Sequence, residues 1–223
     1  MNKKIMLLAL AAVSAVVFAL PATASALIPL HLKTAPLGAQ PIDDVTPGNP
    51  TLTTAGVKIE CNTFTGSATF DDTGGTTGKI SLSFSNNCKE SIFGTSCNSP
   101  GKAAGTIETT SLPFHLVTLA NNKPGVLVTP SADGSFAHVE CFFGGIKFTV
   151  SGNGLVGTIT QPACGGKSKD ATIDFNATAA GVQEHTTVAG TPTVYRLQKE
   201  GENAAQDSIG TLTLSNEPTL ECT

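Results

Sequence analysis

Tryptophan is absent from this 223-residue chain, and tyrosine and arginine occur once each, as Tyr195 and Arg196. Charged side chains make up 13% of the sequence, about half the usual share of a soluble domain. Lys and Arg total 13 against 17 Asp and Glu, so no basic patch is available to neutralise phosphates, and nucleic-acid binding is excluded as an expectation. Without tryptophan, and with one tyrosine, the chain lacks the stacking faces with a polar handle that sugar-binding β-modules use. There is no C-x-x-C pair, which makes structural zinc a poor fit. G-x-S-x-G and H-E-x-x-H are also missing, and with them the local signatures of two large hydrolase classes. After residue 26 no amphipathic helix and no run long enough to span a bilayer appears.

What is present begins with an address. Lys3 and Lys4 precede a largely apolar run from Ile5 to Leu20, and Ala24-Ser25-Ala26 supplies a small-residue cleavage pattern. Residues 1–26 therefore read as a secretory signal peptide cut after Ala26. The run is shorter than the roughly 20 apolar residues of a membrane span. No cysteine follows the cut for a lipid anchor, and the C-terminus has no hydrophobic tail. The expectation is a secreted, extracellular protein with no membrane span in its mature form.

Cys61, Cys88, Cys97, Cys141, Cys164 and Cys222 all fall in the exported part. An even count in an exported chain reads as a disulfide framework, each bridge stabilising by about 2–4 kcal/mol. Spacing alone does not fix the connectivity. Bridges between neighbouring strands, Cys61 with Cys88 and Cys141 with Cys164, are the expected arrangement.

The body reads as strands. Ile80, Leu82 and Phe84 alternate with Lys79, Ser81, Ser83 and Ser85; Ala171, Ile173 and Phe175 alternate with Thr172, Asp174 and Asn176. Gly210, Leu212 and Leu214 repeat the pattern. Further candidates are Val57–Cys61, Gly66–Phe70, Gly105–Thr110, Phe114–Leu119, Gly125–Val128 and Thr193–Leu197. Folding residues 135–151 at a two-residue Gly144-Gly145 turn pairs Cys141 with Phe148 and Val139 with Val150 on an apolar face. Glu140 with Thr149 and His138 with Ser151 then share a polar face. A turn at Ser151–Gly154 leads to a third meander strand, Leu155–Thr160. The fold expected is all-β, an antiparallel sandwich or barrel of about ten strands stapled by disulfides. Residues 27–55, which hold five prolines, read as an extended arm; 56–223 read as a single domain, with Lys199–Asp207 as a polar loop.

From Val57 onward the layout resembles a loose group of uncharacterised exported proteins of actinobacteria. The carrying features are Cys61 with Gly66 and Phe70, the run Gly78 to Cys88, Cys97, and the stretch from Ala104 to Leu116. Pro124–Leu127 and Phe136–Cys141 continue the likeness. It implies export and a β-rich fold, and no activity.

His138 and Glu140, two apart on one strand, share a face. With His115 they form the one candidate set for metal binding or acid–base work; a solvated, inert face is the competing explanation. Asp71-Asp72-Thr73-Gly74-Gly75 lacks the spacing of a calcium loop and reads as a turn. Gly165-Gly166-Lys167-Ser168 has Gln161 where a phosphate loop needs glycine. Asn176-Ala177-Thr178 is a glycosylation sequon. No cofactor and no metal are expected. The primary expectation is a non-catalytic extracellular or cell-envelope module that binds an envelope component or another extracellular protein. The alternatives are a hydrolase or metal-dependent enzyme built on His115, His138 and Glu140, and a secreted inhibitor or toxin-like factor presenting the Cys88–Cys97 loop.

Overall fold

The structure is a computed structural model that describes residues 30–32, 38–54, 56–71, 74–119, 123–141, 145–162, 166–176, 184–187, 193–215 and 220–222. The leader, Cys164 and the sequon beyond Asn176 lie outside them, as do the side chains of His31, His185 and Cys222. Every described element is a strand, twenty in all, most of them short.

Eight strands close an antiparallel barrel. In order around it they are β2 (Gln40–Asp44), β5 (Thr63–Phe70), β6 (Thr77–Ser85), β10 (Leu112–Thr118), β11 (Pro124–Val128), β14 (Leu155–Gln161), β16 (Asp170–Phe175) and β19 (Glu202–Thr213), which returns to β2. Period-two alternation explains the inside. Leu112, Phe114 and Leu116 of β10 and Ala171, Ile173 and Phe175 of β16 are buried while their neighbours face out. Phe64 and Phe84 meet at 5.3 Å between ring centroids. Gly78 has to be glycine, because a Cβ there would run into the Thr69 carbonyl and the Phe114 ring.

A second antiparallel sheet shares β19. It runs β7 (Lys89–Glu90), β4 (Val57–Glu60), β3 (Thr51–Thr54), β19, β18 (Thr193–Lys199), β13 (Ile146–Gly152), β12 (Ser135–Cys141) and β8 (Cys97–Asn98). An isolated bridge between Lys89 and Ser96 brings its two ends together. The first part of β19 pairs with β3 and the last part with β2 and β16, so one strand belongs to both sheets. β9 (Ile107–Glu108) adds to β6, and β17 (Glu184–Thr187) to β18. β1 (Leu30–Leu32), β20 (Leu220–Cys222) and β15 (Lys167–Ser168) form a small separate sheet. One hydrophobic core runs through barrel and second sheet alike. Two apolar cavities lined by core residues measure about 60 and 30 Å³. Both fall short of the roughly 150 Å³ that admits benzene, so these two cavities are packing voids.

Several expectations need correction. Residues 40–54 are not an arm: β2 sits between β5 and β19, and β3 between β4 and β19. Lys199–Asp207 is not a loop, since only Glu200 and Gly201 turn before β19 begins at Glu202. The meander stops at two strands, because β14 pairs with β11 and β16 and leaves β13 to pair with β18. The corner Gly152-Asn153-Gly154 explains that departure. Asn153 donates from Nδ2 to the Val194 carbonyl at 2.9 Å and accepts at Oδ1 from the Arg196 amide at 2.7 Å. Gly152, at φ +128°, passes against the Arg196 carbonyl where a side chain has no room.

The β12–β13 register also differs. Cys141 lies opposite Ile146, Glu140 opposite Lys147, Val139 opposite Phe148 and His138 opposite Thr149. The shift relative to the two-residue turn is an even one, which keeps every side chain on its expected face. The apolar pattern is therefore satisfied by both registers, and the cross-strand pairs decide between them.

Candidate functional site

Two places on the surface concentrate chemistry. The first is the solvated face of the β12–β13 hairpin, where His138 and Glu140 share an open groove of about 420 Å³ with Lys147, Thr149 and Glu200. The Lys147 ammonium lies 2.9 Å from Glu140 Oε1. Lys199 covers the other face of β13, with its Nζ 4.9 Å from the centroid of the buried Phe148 ring. His138 stands between Thr149 Oγ1, 3.0 Å from Nδ1, and Asp133 Oδ2, 3.4 Å from Nε2. Asp133 is fixed in turn. Its Oδ1 accepts from Ser131 Oγ at 2.5 Å, from Ser135 Oγ at 2.7 Å and from the Ser135 amide at 3.1 Å. The Ser131 and Ser135 hydroxyls hold the Asp133 carboxyl well below the usual carboxylate range. Asp133 precedes β12 across the turn at Gly134, where strand alternation carries no information; an Asp-Gly step beside Ser131 and Ser135 was the available signal.

His115 is not part of this face. It lies on β10 between Thr77 and Leu127, pointing out of the barrel, while His138 belongs to the other sheet. Thr109 bridges to Ala137 and bonds to β6 at Leu82, whereas His115 pairs with Thr77, five residues further along β6, about 17 Å at strand rise. The expected His115, His138 and Glu140 set is therefore brought together only as His138 with Glu140. Among the described residues no group of three His, Cys, Asp or Glu side chains is placed to hold a metal ion.

The second place is the turn joining β7 to β8. Cys61 is bonded to Cys88 just before β7, as expected, and Cys97 at the start of β8 is bonded to Cys141. The expected Cys141–Cys164 bridge is thus replaced by Cys97–Cys141. The reason is the pairing of β8 with the end of β12, which sets Cys97 directly opposite Cys141. Residues 91–96 are consequently held at both feet by covalent bonds. Within the loop, the Gly94 amide donates to the Glu90 carbonyl at 3.1 Å, and Glu90 N to the Thr95 carbonyl at 3.1 Å. Gly94, at φ +67°, closes the turn.

Glu90 organises the loop from inside. The residue is 1% exposed, and its carboxylate accepts from Ile92 N at 2.6 Å, Phe93 N at 2.9 Å, Thr95 N at 2.9 Å and Thr95 Oγ1 at 2.9 Å. Hydrogen bonds from Thr95, then Phe93 and Ile92, lower its pKa to about 2 against the opposing effect of burial. The loop amides point inward and the side chains point out: Ile92 is 55% exposed and Phe93 71%. Among the described residues these are the two most exposed large hydrophobic side chains, and they are adjacent. The sequence shows Glu90 as one more charged residue in a loop. Nothing in its spacing marks it as internal; it precedes Ser91–Thr95 in a short stretch bounded by Cys88 and Cys97.

No helix among the described residues is long and apolar enough to cross a membrane. The two disulfides are consistent with an extracellular location. Comparison with protein-family models, with curated proteins and with solved structures gave no match.

Proposed function

We propose that this chain is an exported, non-catalytic β-module of the cell envelope or extracellular space, and that its contact element is the stapled loop 91–96. The observation that carries this reading is the pairing of a rigid base with an apolar tip. Two disulfides and the buried Glu90 carboxylate fix the backbone, while Ile92 and Phe93 stand in solvent. Exposing such side chains gains nothing for folding, and a preordered aromatic anchor is what a binding surface needs. The signal-peptide pattern of residues 1–26 and the resemblance to exported actinobacterial proteins support the address. The inhibitor alternative uses the same loop. Its closed turn has the form of a knob, unlike the extended segments that pair along a cleft.

Co-sedimentation of the oxidised protein with intact bacterial cells and isolated envelopes tests the reading. Saturable pelleting is expected, and it should fall at least about tenfold in affinity in Ile92→Ser/Phe93→Ser, by the apolar area removed. Pelleting that ignores the double substitution would move the contact elsewhere. The absence of pelleting would remove the envelope reading.

A second reading, a hydrolase, has one observation in its favour: Asp133, His138 and Thr149 in series. In that arrangement Thr149 Oγ1 would be the nucleophile and His138 the base. Labelling of Thr149 by an acylating probe, lost in His138→Ala, would support it over the binding module.

A further inference from the structure

We propose that the Ile92–Phe93 tip docks on a lipid bilayer, placing those two side chains at interfacial depth while Lys58 and Lys89 face anionic headgroups. This names the partner of the loop and rests on the reading that the loop is the contact element.

Three features favour a bilayer over a protein surface. The first is the backbone of the tip. Entry into an apolar phase penalises each unbonded N–H, which restricts what irregular backbone can be inserted. Here the amides of Ile92, Phe93 and Thr95 are bonded to the Glu90 carboxylate, and that of Gly94 to the Glu90 carbonyl. The tip therefore sheds water at its N–H groups without losing hydrogen bonds.

The second feature is the collar. An ordinary protein interface covers about 800 Å² on each partner, with apolar residues across its centre. The apolar area here is two side chains, and the residues flanking them in the loop and on the adjoining ends of β4 and β7 are polar: Ser91, Thr95, Ser96, Lys58, Glu60 and Lys89. A small apolar point in a polar ring matches a bilayer interface, where the ring stays among headgroups.

The third feature is charge. Lys58 is held beside the loop by the Ser91 amide, which donates to its carbonyl at 2.8 Å, and Lys89 is bridged to Ser96. Both lysines are exposed. Glu60, opposite Lys89, lies 3.6 Å from the Lys58 ammonium, and Glu90 adds a second carboxylate, buried within the loop, so the two lysines are matched by two anions in a chain whose overall charge is −4. Two apolar side chains beside two outward-facing lysines, with the Glu90 carboxylate turned inward onto the loop amides, suit weak, reversible attachment to anionic lipid.

The test is vesicle flotation with oxidised protein recovered from an exporting host, its N-terminus read first so that an uncleaved leader is not mistaken for the loop. Vesicles are phosphatidylcholine alone and phosphatidylcholine with phosphatidylglycerol. Saturable flotation is expected, stronger with phosphatidylglycerol. Ile92→Ser/Phe93→Ser should lower the partition coefficient at least about tenfold, whereas Ile92→Leu/Phe93→Leu retains it. Lys58→Glu/Lys89→Glu should abolish the preference for phosphatidylglycerol. If neither wild type nor variants float, while envelopes still pellet the wild type through Ile92 and Phe93, the bilayer is wrong and the loop remains the contact element. Failure with vesicles and envelopes alike overturns both readings. Tip-dependent self-association in sedimentation velocity, without flotation, would make the occupant a second copy and overturn the bilayer.

Discussion

Replacing Cys97 and Cys141 together by alanine is expected to lower the unfolding free energy by about 4 kcal/mol. The bridge closes a segment with a sequence separation of 44, and the chain-entropy estimate for a loop of that size gives this value. The Cys61–Cys88 bridge, with a separation of 27, is expected to contribute about 3.5 kcal/mol on the same basis. The two closed segments share no residues, but the Cys97 amide donates to the Cys88 carbonyl at 2.9 Å, so the bridges are in contact and the losses should depart from the simple sum by about 0.5 kcal/mol or more. Urea unfolding of the two double variants and of the quadruple variant measures this. Strong sub-additivity would mean that one staple already orders the loop between them. The Cys97–Cys141 bridge has a second consequence. β8 is two residues long and is held by that bond, a two-residue pairing with β12, the Cys97 amide on the Cys88 carbonyl and the Lys89–Ser96 bridge, so loss of the bond should loosen one foot of the 91–96 loop before the barrel melts.

Glu90→Gln is expected to be among the most damaging single substitutions outside the barrel. Glutamine offers one carbonyl oxygen where the carboxylate has two, and its NH₂ faces amides that need an acceptor. The pH dependence gives the sign. The Glu90 pKa is about 2 in the fold, against an ordinary glutamate value of 4.5. Its stabilising contribution is therefore complete above about pH 4.5 and is lost as pH falls toward 2. Thermal melts from pH 6 to pH 2 should show wild type well above Glu90→Gln at pH 6 and the gap closing across the acid range. A constant gap would show that the carboxylate charge is not what the loop uses.

The legible parts of this fold are the strands whose buried residues are apolar. β6, β10 and β16 announce themselves through Ile80, Phe114 and Ile173 at alternate positions. The missed strands bury something else. In β2 the inward residues are Gln40 and Ile42, and Gln40 is fully buried because its Oε1 accepts from the Ser215 amide at 2.7 Å and hydroxyl at 2.9 Å. The first part of β19 buries Ala204 and Ala205, small residues inside a polar stretch. Neither pattern scores as amphipathic.

The hairpin shows what alternation can and cannot fix. It placed His138 and Glu140 on one solvated face, yet the partners opposite them, Thr149 and Lys147, came from cross-strand chemistry. Cys61 with Cys88 was legible because strands neighbouring in sequence often pair. Cys97 with Cys141 was not, because β8 is too short to show any period. The loop itself was visible only as a segment between two cysteines. Its working feature, a buried carboxylate gathering amides, depends on three-dimensional closure that no spacing rule encodes.

Amide hydrogen exchange at Ile92, Phe93, Gly94 and Thr95 in the oxidised protein tests most directly whether the loop is preformed. Slow exchange is expected at all four, despite the solvent exposure of the Ile92 and Phe93 side chains, with collapse of that protection in Glu90→Gln. Exchange at the rate of an open loop in the wild type would contradict that expectation, because the tip would then be flexible rather than preformed for contact.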